Sequence, residues 1–295
     1  LPRLEKTTPP WLSLGKPALL FPLGRGRPWW LLLAGSVFLL LALLPLLSLI
    51  WKVGAAGETW SAQDGWRHLV NHGHLYGWSV VIMLGVALAT GLVAAALAFW
   101  AAWAAHGRRW LSGGLLVLLA VAWVMPGPVA GLGLKEIILD LARKRPDGFL
   151  TYLLYENSPL GILWGHLVRF FPVALAILWP LVRRTPKELI DALRLEGASG
   201  WQILRMAYWP CCRQAWWLAV VLVTALSLGE VAAASRVETP GWESFAKLLF
   251  DRMHYGFDNN VAALALLMLA AMGLVGLAAW GVRRLLAGKW EKPPL

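Results

Sequence analysis

The chain has 295 residues, of which 59% are hydrophobic, 15% are charged and twenty are tryptophan; its mean hydropathy is +0.61. Soluble domains carry about 25% charged residues, so an ordinary soluble protein is excluded. The net charge of +11 has to be tested against membrane topology before it suggests nucleic acid. Cys211 and Cys212 are the two cysteines and are adjacent, which excludes a disulfide framework.

A span needs roughly 20 mostly apolar residues, and six stretches qualify, predicting an all-α integral membrane protein with six transmembrane helices. The first runs from Trp29 to Ile50 and is uncharged. It is too long for the apolar core of a signal peptide and lacks a small-residue cleavage site. An outer loop with His68, His72 and His74 follows. Histidines four apart share a helix face and invite a metal reading. Gly73 and the missing carboxylate weaken it, so these are read as surface histidines and no metal site is predicted. The second span is Trp78 to about Ala105. The third, Leu111 to Gly133, is interrupted by Met125-Pro126-Gly127-Pro128. The fourth, Leu160 to Val182, contains His166 and Arg169, the fifth, about Gln214 to Ser235, contains Glu230, and the sixth runs from Val261 to Val282. Residues 1–28 then form an N-terminal cytoplasmic segment or linker, 29–284 the membrane domain and 285–295 a tail.

With both termini in the cytoplasm, seventeen Lys and Arg residues fall on the inner segments and nine on the outer loops. The positive-inside rule therefore predicts that orientation. Trp29, Trp30, Trp51, Trp78, Trp110 and Trp280 lie near proposed span ends, as interfacial indoles do. The charge surplus thus reads as an orientation signal, with the lipid bilayer as partner and no nucleic acid.

The inner segment 183–213 has the pattern of two short amphipathic helices. Thr185 is a suitable N-cap, Pro186 suits the first helical position and Glu188 completes a capping box. Leu189, Ala192 and Leu193 share one face, and Gly197 suits a left-handed stop. Ser199 and Gln202 form a second box, opening a helix with Trp201, Leu204 and Tyr208 on one side that Pro210 is expected to end. A docking element and a loop resting on lipid headgroups are both compatible with this pattern.

The same segment resembles the cytoplasmic loop of the permease subunits of type I binding-protein-dependent ABC importers. In that family the loop reads Glu-Ala-Ala, three residues, Gly, nine residues, Ile, one residue, Leu-Pro. Here Asp191-Ala192-Leu193, Gly197 and Ala207-Tyr208-Trp209-Pro210 keep the spacing. Asp for Glu, Leu for the second Ala, Ala for Ile and Trp for Leu are departures. Ser227-Leu228-Gly229-Glu230, Pro240-Gly241, His254-Tyr255-Gly256 and Gly131-Leu132-Gly133-Leu134 look like the iron(III), thiamine and phosphonate branch. Gly15-Lys16-Pro17 and Leu23-Gly24-Arg25-Gly26-Arg27 look like the linker opening the second half of a tandem permease, as does the absence of an initiating Met.

The resemblance implies a six-helix permease domain working with a homologous half or second permease subunit, a dimer of ATPase subunits and an extracytoplasmic substrate-binding protein in a bacterial inner membrane. It implies ferric iron as cargo, with thiamine or a phosphonate as alternatives. Glu188, Leu189, Asp191, Ala192, Leu193, Glu196, Gly197, Ala198, Trp201 and Pro210 would couple the spans to the ATPase. ATP and magnesium would be held there, with no cofactor on this chain. Gly15-Lys16-Pro17 and Gly288-Lys289-Trp290 lack the rest of a phosphate loop, so the chain is expected to be a transport subunit and not an enzyme.

Charges within spans usually face a partner or a water-filled cavity. Arg169 and Glu230, placed about 13 and 8 Å below the outer surface by helical rise, are expected in a polar cluster with His166 and Gly229 near the translocation path. A purely structural ion pair is the alternative. Met125, Pro126 and Gly127 would break the third helix at an outer gate, or merely kink it. The segment Thr239 to Tyr255 is predicted to open a helix at Thr239-Pro240, forming with Leu134–Ala142 a platform for the binding protein. An ion-coupled transporter would want ionisable residues near the midplane and internal repeats, and a membrane enzyme a catalytic constellation in the spans; neither pattern is found.

Overall fold

The computed structural model describes residues 26–56, 59–156, 158–239, 241–256 and 258–288. The proposed linker up to residue 25 and the tail from residue 289 lie outside the described residues. Two units divide between Trp51 and Lys52. The first contains nearly all of helix α1, Arg27–Gly54. Pro28 occupies its first turn, where no N–H is needed. A π-type segment at Leu39–Leu43 precedes Pro45 and takes up the hydrogen bond that proline cannot make. Trp29 is 75% and Leu41 76% exposed; a helix apolar on every side suits lipid or a partner helix.

The second unit begins with a two-residue antiparallel ribbon, Ala55–Ala56 with Thr59–Trp60. Ser61 then caps helix α2, Ala62–Ala104, accepting a hydrogen bond from the Asp64 amide at 3.2 Å. Its 43 residues reach about 65 Å at 1.5 Å per residue, twice the hydrocarbon core. The histidines expected in an outer loop therefore ride on its first turns. No proline interrupts residues 62–104, and Gly73 and Gly77 each weaken a helix by only about 1 kcal/mol.

Helices α3, Arg109–Val124, and α4, Gly127–Lys144, meet at 108°. Met125 and Pro126 are both extended, with ψ of 121° and 142°; Met125 precedes a proline, which pushes it out of the helical region. The stretch Leu134–Ala142, expected in an outer loop, is part of the second limb. Helix α5, Leu160–Arg183, leads to α6, Lys187–Leu195. Helix α7, Gly200–Leu228, contains a π-type turn at Leu204–Tyr208. The short α8, Ala234–Val237, the surface helix α9, Phe245–His254, and α10, Asn259–Gly288, complete the chain.

Four expectations are corrected. Pro186, not Thr185, is the N-cap of α6, and the Thr185 hydroxyl bonds back to the Leu181 carbonyl. Pro210 does not stop a helix: the π turn absorbs its missing donor, and α7 runs on through it. The helix expected from Thr239 starts after Ser244, since the Thr239 hydroxyl is held by the Ser158 carbonyl at 3.2 Å. The fifth span ends at Leu228 with Gly229 as its C-cap, so Glu230 lies in the following turn instead of inside a helix.

Helices α2, α5 and α7 pack on one another, and α10 packs on α2 and α7. Their shared core is built of small and branched residues: Ala94, Ala95 and Ala98 against Leu175, Leu178, Val220 and Val223. A Cβ at Gly91 would stand 2.6 Å from the Val220 carbonyl oxygen, so glycine there lets the two backbones touch, as membrane helices without a hydrophobic driving force require. Among the described residues, five helices are long and apolar enough to cross a membrane, or six if the bent α3–α4 pair is one span.

Candidate functional site

Most of the polar residues singled out inside the membrane domain converge on the α3–α4 break. Extending the chain at Met125 and Pro126 leaves the Met125 carbonyl outside the helical ladder, and the Arg169 guanidinium of α5 donates to it at 2.9 Å. One turn earlier on α5, His166 is 4% exposed, and its Nδ1 lies 2.6 Å from the Ser227 hydroxyl of α7. The Glu230 carboxylate accepts the Ala233 amide at 2.8 Å, which fixes the turn into α8. The same carboxylate would stand 3.5 Å from a Cβ placed on buried Gly127.

Met125, Pro126, Gly127, His166, Arg169 and Glu230 are thus neighbours around one break. Arg169 and Glu230 do not pair with each other: each is satisfied by backbone. Gly229, at the end of α7, faces the Met272 side chain instead. Sequence reading missed two members of the surroundings. Ser227 completes the polar contact of His166, and Gly131 lets α4 approach Ala233, whose carbonyl oxygen would be 2.7 Å from an added Cβ. A serine one turn from Glu230 was the available signal for the first.

The second assembly is the segment from α6 into α7. Ile190 is 3% exposed and anchors α6 to the core, with Leu193 packed beside it. Leu189, Ala192 and Leu195 point away from the core, and Leu195 is 90% exposed. The expected face of Leu189, Ala192 and Leu193 is therefore divided between inside and outside. Glu188, Asp191 and Glu196 are exposed alongside, and the Asp191–Arg194 pair at 3.3 Å is a surface pair that adds little.

Gly197 adopts φ +78°. The Ala198 amide reaches the Leu193 carbonyl at 2.9 Å and the Gly197 amide reaches Arg194 at 3.0 Å, the paired closure of a Schellman motif. Ser199 and Gln202 then cap α7 reciprocally. Ile203, Leu204, Ala207 and Tyr208 are buried against the bundle, while Trp201 stacks on Trp100 with centroids 6.2 Å apart. α6 is thereby held rigidly between two long helices with an acidic and apolar face free.

Among the described residues no group of three His, Cys, Asp or Glu is arranged to hold a metal. His72 Nδ1 lies 2.7 Å from the His68 carbonyl, and its ring stacks on Tyr76. Cys211 and Cys212 are free.

No family model matches the sequence. The putrescine transport system permease protein PotI of Escherichia coli is 26% identical over 174 residues, covering 59% of this chain and 60% of that protein. The chain matches only that share of PotI's length. The alpha-glucoside transport system permease protein AglF of Rhizobium meliloti is 26% identical, with 87% of this chain and 82% of the relative covered. The 2-aminoethylphosphonate transport system permease protein PhnV of Salmonella typhimurium is 23% identical, with 83% and 91% covered. Among solved structures, a bacterial ABC transporter that imports alginate superposes with TM-score 0.60 at 13% identity, covering 89% of this chain and 97% of its own. The MetNI methionine ABC transporter superposes with TM-score 0.52 at 16% identity, covering 76% and 98%.

The fold is similar to that of these two ABC transporter structures. The homologues are ABC-type permeases, transport subunits and not catalytic enzymes. Those homologues and the several apolar helices make the chain a multi-pass integral membrane protein.

Proposed function

We propose that this chain is the transmembrane permease subunit of an ATP-driven, binding-protein-dependent importer in a bacterial inner membrane, with both termini cytoplasmic. The observation that carries the reading is α6: a short helix clamped between α5 and α7, closed by Gly197 and the Ser199–Gln202 box, that leaves Glu188, Leu189, Asp191, Ala192, Leu195 and Glu196 uncovered. A rigid rod with such a face suits the cleft of a separate ATPase that binds ATP and magnesium. Nucleotide-driven movement of that cleft would pass through Ile190 and Leu193 into the bundle. Glu196, Gly197, Ala198, Trp201 and Pro210 hold the geometry of the transmission.

The break at Met125-Pro126-Gly127, with Arg169, His166 and Glu230 around it, is assigned to the translocation path. Irregular backbone at membrane depth is tolerated where protein buries it or a cavity is lined, and Arg169 supplies the donor that the broken helix lacks. A cavity of about 630 Å³ between α4 and the turn after α8, lined by Lys135, Tyr155, Arg236 and Thr239 among others, belongs to the outer face, where a substrate-binding protein docks. A second permease half, as in a tandem chain, completes the 12-helix pathway.

Ferric iron as cargo rests on the motif resemblance alone. The relatives are named for putrescine, alpha-glucoside and 2-aminoethylphosphonate, and a phosphonate is the second reading because the motif resemblance and the PhnV match both point to it. The test is co-purification with an ATPase and stimulation of ATP hydrolysis by the binding protein in vesicles. Gly197→Pro can neither adopt φ +78° nor donate to the Arg194 carbonyl, so it should abolish the stimulation, with thermal unfolding of the complex checking that it still assembles. Full stimulation in that variant excludes the coupling role of α6.

A further inference from the structure

The turn between α2 and α3 and the α6–α7 segment enclose a cleft of about 420 Å³ that the transport reading does not use. Trp103, His106, Arg108, Arg194, Gly200 and Tyr208 contribute to its walls. The turn is tight: the His106 amide bonds the Trp103 carbonyl at 3.0 Å, and Gly107 takes φ +78°. This places His106 against Tyr208, edge to face at 5.4 Å. Its Nδ1 is buried and has no hydrogen-bond partner.

The two charged side chains that line the cleft are both cationic. No carboxylate lines it, and Arg108 takes part in no ion pair among the described residues. Arg194 shares only the exposed Asp191. His106 is held below the ordinary histidine pKa, first by burial and then by Arg183, Lys187 and Arg194 nearby. Two guanidinium groups from separate elements around one recess, backed by the His106 and Tyr208 rings, make a donor set for a tetrahedral oxyanion. Guanidinium favours such anions through paired, charge-assisted hydrogen bonds.

We propose that this cleft binds a phosphate group, held by Arg108 from the α2–α3 turn and Arg194 from α6, with His106 and Tyr208 forming the wall behind them. A bound phosphate would bridge the transmembrane bundle to the α6 segment and stiffen their junction. The inference does not depend on the transport reading, since it concerns only this chain's own side chains. The phosphate has two possible sources, a soluble phosphate compound or the headgroup of an anionic phospholipid.

The experiment is calorimetric titration of the full chain with inorganic phosphate. It is run first in a neutral maltoside detergent, then in nanodiscs of phosphatidylcholine alone or mixed with phosphatidylglycerol. Saturable binding near one site per chain is expected in detergent and in phosphatidylcholine, weakened at least tenfold in Arg108→Gln and in Arg194→Gln and unchanged in Arg205→Gln. Loss of phosphate binding when phosphatidylglycerol is present identifies the lipid headgroup as the occupant; unchanged binding identifies a soluble phosphate. Thermal unfolding of each variant confirms that it is folded, and Arg108→Lys restoring part of the affinity separates charge from fold. Absence of saturable binding in all three preparations, or affinity equal to the parent in both Arg108→Gln and Arg194→Gln, overturns the proposal.

Discussion

The Arg169 guanidinium donates to the Met125 carbonyl at 2.9 Å across 44 residues of sequence. The bond joins α5 to a backbone carbonyl that the α3–α4 break sets free, so a charge in the bundle and a flaw in a helix satisfy each other. A hydrogen bond to a charged group contributes about 1.5–3 kcal/mol. Arg169→Ala is therefore expected to lower the unfolding temperature in detergent and to reduce the initial rate of transport in vesicles, while Arg169→Lys retains part of both. If Arg169→Ala and Glu230→Ala each left transport at the parental rate, the break would be structural only and the pathway assignment would fail.

Two glycines two residues apart on α4 should respond in opposite senses. A Cβ at Gly131 would meet the Ala233 carbonyl oxygen at 2.7 Å and Arg236 Cβ at 3.1 Å, whereas at Gly133 it would meet nothing within 4 Å. Gly131→Ala is expected to destabilise by about 1–3 kcal/mol through overpacking. Gly133→Ala is expected to stabilise by up to about 1 kcal/mol through helix propensity. Thermal unfolding of the two variants in the same detergent measures both, and a common sign would mean that α4 does not approach the turn before α8 as described.

Much of the fold was legible in the sequence because apolar length, proline and glycine act locally. The stretch from Leu160 to Val182 became α5 almost unchanged, the Met125-Pro126 break fell where two extended residues require it, and Gly197 took the left-handed conformation its position predicted. What the sequence hid was decided by partners. The 43-residue α2 runs through Gly73 and Gly77 because nothing nearby competes for its backbone, and its Ser61 cap carries a weaker signal than the apolar run behind it. Thr185 looked like a cap but found the Leu181 carbonyl first. Glu230 looked buried in a span because Gly229 was read as part of an apolar run instead of as its end. At the polar cluster the participants were readable as misplaced charges, but the partners of Arg169 and Glu230 were backbone groups, which no residue type announces.

The two sides of α6 should separate stability from coupling. Ile190 is 3% and Leu195 90% exposed, five residues apart on one short helix. Ile190→Ala removes a packed side chain and is expected to cost about 2–5 kcal/mol, lowering the unfolding temperature of the chain by itself. Leu195→Asp leaves that temperature unchanged and reduces co-purification of the ATPase and stimulated hydrolysis by at least fivefold. A Leu195→Asp variant that couples like the parent would place the ATPase contact on another surface.

Acid should loosen the junction at the α2–α3 turn before it affects the rest of the molecule. Burial, followed by Arg183, Lys187 and Arg194, holds the His106 pKa below its ordinary value of 6.5. The unfolded chain therefore takes up a proton on this ring at a higher pH than the folded one does. Between 6.5 and the lower folded value the unfolded state binds more protons, so stability falls as pH falls through that window and is fully restored above it. The unfolding temperature in low-salt detergent should drop as the pH is lowered from 7.5 past 6.5, and His106→Gln should flatten this part of the curve. Added salt should weaken the share due to the three cations and spare the share due to burial, because screening acts on exposed charges and not on desolvation. A His106→Gln profile parallel to the parent's would show that this ring titrates identically in both states and that the cationic surroundings do not reach it.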